Sequence, residues 1–83
     1  MKEIRVLGIL VTDRIAEAGQ VQQVLTKYGC NIKTRIGLHE VDDNQCSKNG
    51  LILIELCGQS SDWDLIEKDL AKIDGIKTQK MSF

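Results

Sequence analysis

The first concentration of apolar residues is "IRVLGILVT", residues 4–12, a run of branched side chains that predicts a strand. In "RIAEAGQVQQVLTKY", Ala18, Val21, Leu25 and Tyr28 recur at helical spacing, with Ile15 and Val24 beside them. Asp13 stands where a helix N-cap belongs, and Gly29 stands where a helix can stop in the left-handed conformation. Residues 32–41, "IKTRIGLHEV", alternate: Ile32, Thr34, Ile36 and Leu38 fall on one face, and Lys33, Arg35, Gly37 and His39 on the other, as in a half-buried strand. "DDNQCSKNG" predicts a loop with a turn at Asn49-Gly50. "LILIELC", residues 51–57, reads as a strand apolar on both faces as far as Glu55. "GQSSD" interrupts it, and Ser61 with Asp64 three residues on resembles a capping box. Trp63, Ile66, Leu70 and Ile73 then form a second helical stripe that Gly75 ends, and "IKTQKM", residues 76–81, reads as a short, charged edge strand.

The order is βαββαβ, over residues 1–83 as a single domain, and predicts an α+β, ferredoxin-like sandwich. Its antiparallel sheet has the order 4-1-3-2, with two helices on one face. The two strands apolar on both sides are the first and third, which this order makes central. Two helices cover one face of such a sheet. The other face then exposes Leu51 and Leu53 from the third strand if Ile52, Ile54 and Leu56 face the helices. From the first strand it exposes either Leu7, Ile9 and Val11 or Ile4, Val6 and Leu10. Four or five large apolar side chains make a patch of several hundred Å2, the size that marks an interface. At about 25 cal/mol per Å2, leaving it in water forgoes several kcal/mol. The expected partner is therefore another copy of the chain, met through the sheet face or the sheet edges.

Composition narrows the function. Eleven basic residues stand against twelve acidic ones, with no basic run, which argues against direct nucleic-acid binding because phosphate contacts dominate that affinity. Cys30, Cys46 and Cys57 show no Cys-x-x-Cys pair, which argues for reduced thiols in a cytoplasm and against a disulfide framework; unless reactive, each is expected to be a small buried hydrophobe. The apolar run Val6–Val11 is too short for a membrane span or the core of a signal peptide.

Several short segments resemble a known family: "LVTDR" closing the first strand, "TRIG" at Thr34–Gly37, "NGLILI" at Asn49–Ile54 and "LAKIDGIKTQ" at Leu70–Gln79. They are similar to a family of small regulators of iron-only hydrogenase systems whose fold is ACT-like. The likeness runs over nearly the whole chain. It implies a non-enzymatic, oligomeric regulatory module that binds a small ligand, often an amino acid, at subunit interfaces. It also implies a similarity to the nickel-binding oligomerisation domain of a nickel-responsive repressor. The sequence departs from both relatives. Amino-acid-binding ACT domains place a glycine in the turn after the first strand, where this chain has Thr12-Asp13-Arg14. The nickel domain has a His-x-His on its third strand, where "LILIELC" has no histidine. No DNA-binding segment remains once one domain is counted, so a transcriptional regulator of this kind acts through a partner.

That resemblance makes Thr12, Asp13 and Arg14 the candidate small-ligand residues, with Arg35 as a further contact to a ligand or a second subunit, or as an ion-pair partner of Glu55. The stretch "LHEVDDNQCSKNG" holds the only histidine. His39 and Cys46 could supply two metal ligands, and a complete site needs subunits to share them, because zinc and nickel sites use several convergent nitrogen or sulfur donors. The simpler reading is a solvated hairpin loop. No nucleophile–base arrangement and no glycine-rich phosphate loop is present, so the chain is not expected to be an enzyme, and no cofactor is expected.

Overall fold

The structure is a computed structural model that describes residues 3–12, 14–41 and 46–83, with the side chains of 14–16, 38–41 and 46–49 outside the description. Among these residues the elements run β1 (Arg5–Val11), α1 (Arg14–Lys27), a 3-10 turn (Gly29–Asn31), β2 (Ile32–Val41), β3 (Cys46–Leu56), α2 (Ser60–Ala71) and β4 (Ile76–Ser82). The four strands form one antiparallel sheet in the order β2-β3-β1-β4, the ferredoxin-like arrangement. Both helices lie against one face. No helix among the described residues is long and apolar enough to cross a membrane.

The helix-facing side is the core. Leu7, Ile9 and Val11 of β1 and Ile54 and Leu56 of β3 pack with Val21 and Leu25 of α1, Trp63, Ile66 and Leu70 of α2, and Ile73. This settles the direction of β1: the unbroken set Leu7-Ile9-Val11 faces the helices, and the set that contains Gly8 faces away. The whole second stripe, Trp63, Ile66, Leu70 and Ile73, is buried as its spacing predicts.

Four local expectations change. Asn49-Gly50 is not a turn. β3 begins at Cys46, and Gly50 lies within the sheet, paired with His39 on one side and Val11 on the other. Long β2 supplies backbone partners for those residues, and ladder pairing overrides the local turn preference. Residues 42–45, between β2 and β3, lie outside the described residues. Gly29 does not take a left-handed cap; it opens the 3-10 turn, and the described residues of positive φ are Gly58 and Gly75. The α2 N-cap is Gln59, without a side-chain cap bond, so Ser61 and Asp64 lie inside the helix and form no capping box. In α1, Ala18 is exposed and Glu17 occupies the buried turn of the stripe.

A bulge reshapes β2. Ile32 opposes Leu56, but Thr34 opposes Glu55, so one extra residue enters the β2 side between them. The insertion separates Ile32 from Thr34 and Ile36. Ile32 packs against the core, while Ile36 opposes Leu53 on the helix-free face and is 49% exposed.

Polar ties link the helices. The Tyr28 hydroxyl donates to Asp69 Oδ2 at 2.7 Å, and Lys27 Nζ reaches the same oxygen at 3.2 Å. These bonds, the tyrosine first, hold the Asp69 carboxyl below its ordinary range. A carboxyl lowered by folding stabilises the fold above its unfolded pKa, and that contribution disappears as pH falls through the folded value. Stability should therefore drop on acidification from about pH 4 downward, near and below the ordinary aspartate range. Tyr28→Phe should flatten that acid limb of the thermal midpoint while leaving the midpoint profile between about pH 6 and 8 parallel to the parent. An unchanged acid limb in Tyr28→Phe would refute this assignment.

Candidate functional site

The register arranges the helix-free face in rows. Leu51, Leu10 and Lys77 lie side by side; next come Ile36, Leu53, Gly8 and Gln79; then Thr34, Glu55, Val6 and Met81. Ile4 and Phe83 extend the face beyond Met81, joined by mutual backbone hydrogen bonds of 3.2 and 2.8 Å. Gly8 has no side chain to contribute, and Val6, Leu10, Leu51, Leu53 and Met81 wall a shallow hollow of about 490 Å3 over it. Lys77 and Gln79 border the hollow along β4. Glu55, near the end of β3, accepts from Thr34 at 3.2 Å and lies 3.8 Å from Lys33 Nζ.

Met81 is 52% exposed, Ile4 49% and Phe83 73%, so apolar side chains meet water across the face. The sequence marks this face through the doubly apolar strands β1 and β3. It does not mark the contribution of Ile36, because the bulge that places Ile36 there has no local signal.

A second constellation sits at the end of β1. The Thr12 hydroxyl donates to the Gly75 carbonyl, and the Glu17 carboxylate lies 3.3 Å from the same hydroxyl. Glu17 is buried at the start of α1. Gly75 has φ +86, and a Cβ there would lie 1.5 Å from Glu17 Oε2. The turn before α1 and the turn before β4 are thus packed together through one carboxylate. Sequence reading places Thr12 here and misses Glu17. Its available signal is position: Glu17 precedes Val21 by four residues on the buried stripe.

The remaining candidates are spread out. Asp13 lies outside the described residues, and Arg14 begins α1 with its side chain outside the description. Arg35 does not pair with Glu55. It opposes Ile54, on the helix side of the sheet, and its Nη2 donates to Gln22 of α1 at 2.7 Å. Ile54 in turn opposes Leu7, so Arg35 and Thr12 are separated by five residues along the strand direction, about 16 Å, and do not form one site. The backbones of His39 and Cys46 flank the hairpin, paired with Gly50 and Val41, while their side chains fall outside the description. Among the described residues no group of three or more metal-ligating side chains converges.

Cys30 is exposed and Cys57 half-buried; both are free thiols, and neither belongs to the core cluster expected of inert cysteines. Arg5 is the other polar centre. It lies 5.2 Å over the Trp63 ring and bonds Glu67 at 2.7 Å, Asp64 at 3.0 Å and Glu3 at 3.1 Å, with the Asp64 bond the main cause of its raised pKa. These carboxylates already occupy it, so Arg5 anchors α2 to the sheet.

No family model matches the chain, and no curated protein matches it. Its solved neighbours are similar in fold. An uncharacterised protein, TM1266 of Thermotoga maritima, shares 20% identity over 99% of both chains with a TM-score of 0.82. The ACT domain of a GTP pyrophosphokinase from Chlorobium tepidum shares 15% identity over 94% of this chain and 96% of that one, with a TM-score of 0.65. A dimeric ferredoxin-like protein from an uncultured marine organism shares 5% identity over 98% of this chain and 92% of that one, with a TM-score of 0.53. The fold is therefore ACT-like and ferredoxin-like.

The packing of Glu17 on Gly75 is testable by a double-mutant cycle. Gly75→Ala should cost about 2 kcal/mol or more in urea unfolding, from the left-handed backbone and the clash together. In a Glu17→Ala background the same change should cost only the backbone share, about 1 kcal/mol. Equal costs in both backgrounds would show that the two residues do not meet.

Proposed function

We propose that this chain is a non-enzymatic regulatory module of ACT-like type that senses a small ligand through its self-association, with the helix-free sheet face as the surface that a second copy covers. The observation that carries this reading is that face: rows of Leu, Ile, Val and Met around the Gly8 hollow, with Lys77 on the edge strand and Glu55 near the end of β3 as the charges in those rows. A stable two-fold contact needs about 800 Å2 from each partner with an apolar centre and a polar rim, and a four-stranded face of this composition has that character. A two-fold contact is also self-complementary, which suits one apolar face meeting its own copy. The dimeric ferredoxin-like neighbour and the ACT domain among the neighbours support the reading.

Sensing requires a ligand with different affinities for two association states. The turn holding Thr12 is coupled to Gly75, and Gly75 precedes β4, whose Lys77, Gln79 and Met81 border the face. A ligand seated at the Thr12 turn, with Asp13 and Arg14, would thus act on the margin of the contact through one turn of chain; Arg35 would serve a separate contact from the opposite side of the sheet. Free cysteines suit a cytoplasmic setting. The resemblance to regulators of iron-only hydrogenase systems makes such a system the first place to look for the protein partner through which the module acts.

The test has two arms. Sedimentation should show an oligomer that Leu53→Glu converts to monomer with its far-UV circular dichroism intact. A monomeric parent chain at tens of micromolar would sink the self-association reading. Thermal melts at fixed protein concentration against the twenty amino acids and common divalent metals form the second arm. A ligand at a hundred times its Kd adds about 2.7 kcal/mol, which is a rise of about 10–20 °C for a domain of this size. A rise with an amino acid that Thr12→Ala removes supports the proposed turn. A rise with a metal that His39→Ala removes replaces it with a metal-responsive module using His39 and Cys46 across subunits. No rise with any of them leaves a structural assembly domain and overturns the sensing reading.

A further inference from the structure

Cys30 and Cys57 are 27 residues apart in sequence and adjacent in space. Cys30 lies in the 3-10 turn after α1, and Cys57 follows β3. The backbone N–H of Cys57 donates to the Asn31 carbonyl at 2.7 Å, continuing the β2–β3 ladder to this point. The Cys57 thiol donates to the Cys30 carbonyl at 3.6 Å. A carbonyl oxygen lies about 2.4 Å from the Cα of its own residue. The Cys30 Cα therefore lies within about 6 Å of Cys57 Sγ. A disulfide holds its two Cα atoms about 4.4–6.8 Å apart, so closing this pair draws the turn that carries Cys30 toward Cys57. Rotation of the Cys57 thiol off the carbonyl, with a small approach by a three-residue turn, brings the sulfurs together.

Access favours Cys30 as the attacking thiol. Cys30 is exposed, while Cys57 is half-buried and lines a concavity of about 660 Å3 with Glu3, Lys33, Gln59, Ser60 and Trp63. We propose that Cys30 and Cys57 form a redox-reactive pair that closes to an intramolecular disulfide, with a low-molecular-weight disulfide as oxidant. The exposed Cys30 thiolate attacks one sulfur of the oxidant. A Cys30–S–S bond to one half of the oxidant forms, the oxidant's own S–S bond breaks, and its other half leaves as a thiolate that takes up the proton Cys30 released. The Cys57 thiolate then attacks Cys30 Sγ, expelling the second half, which takes up the proton from Cys57. The protein gives up two electrons and two protons, and one disulfide oxidant becomes two thiols. Closure staples the turn after α1 to the junction where the Cys57 carbonyl accepts from Trp63 Nε1 at 2.8 Å and Asn31 Nδ2 at 3.2 Å. The site depends neither on a sensed ligand nor on a second copy.

Oxidised glutathione is the probe, with Cys46→Ser removing the third thiol. Peptide mapping under non-reducing conditions should find Cys30 linked to Cys57 in a species of monomer mass two hydrogens lighter, restored to two free thiols by dithiothreitol. Adding Cys57→Ser should trap a glutathionyl group on Cys30, because the resolving thiol is gone. The same mapping on the unsubstituted chain, which needs no variant to fold, should show the Cys30–Cys57 link in excess over any link to Cys46. A glutathionyl group that persists on Cys30 while Cys57 stays free overturns the proposal. Disulfides only between chains, or two thiols that survive the oxidant, overturn it equally.

Discussion

Two helices cover one face of a four-stranded sheet, and every other feature of this chain answers to that constraint. The covered side takes the unbroken apolar sets, Leu7-Ile9-Val11 on β1 and Ile54 and Leu56 on β3, and closes them with residues from both helices. β1 and β3 are central, so their opposite sides are flanked by neighbouring strands and are half-buried even without a cover. Such positions accept Val6, Leu10, Leu51 and Leu53 because neighbours on both sides shield them. The edge strands lack that shielding, and on the same face they carry Thr34, Lys77 and Gln79 beside the half-exposed Ile36 and Met81.

Much of this was legible in the sequence. Strand β1 offered two apolar sets and the sequence reading left the choice open; the structure turns the set that contains Gly8 away from the helices. A glycine in a set facing the helices would leave a gap in the core, where a lost side chain costs both burial and a cavity. On the open face the same gap is a hollow in a surface. The stripe of α2 was legible because Trp63, Ile66, Leu70 and Ile73 follow one period without interruption. What was not legible came from pairing at a distance. The extra residue in β2 between Ile32 and Thr34 is visible only against β3. Asn49-Gly50 has the local chemistry of a turn, yet two flanking strands supply Gly50 with partners. Of the candidate site, Thr12 was legible as the end of a strand. Its neighbours Glu17 and Gly75 were not, since the first looks like a solvated helix residue and the second like an ordinary helix stop.

Polar contacts hold the layers in place at their ends. Thr12, Glu17 and Gly75 join the turn before α1 to the turn before β4; Tyr28 and Lys27 join α1 to Asp69 of α2; Arg5 joins β1 to Asp64 and Glu67 of α2. Their net contribution to stability is modest, because desolvating charges offsets most of their attraction. Their larger effect is on geometry. Apolar packing is non-directional and would tolerate several helix positions, whereas Arg5 satisfies three carboxylates and the Trp63 face in one arrangement. Glu17 acts similarly at the other end, because its carboxylate rests where a Cβ at position 75 would stand.

The division of the sheet into two faces also divides the consequences of substitution. A change at Ile54, which is 0% exposed, acts on the core and hence on every property of the chain. A change at Met81 or Ile36, each about half exposed, removes little from the folded chain and acts on whatever meets the open face. Core stability and the character of the open face can therefore change separately in this fold. β4 links the two. Its residues Lys77, Gln79 and Met81 border the open face, and its start is fixed by Gly75 against Thr12 and Glu17. The hydrogen bond from Thr12 to the Gly75 carbonyl is the contact by which that turn meets the start of β4. The Glu17 carboxylate stands where a side chain at position 75 would stand, so it bears directly on the residue from which β4 sets out.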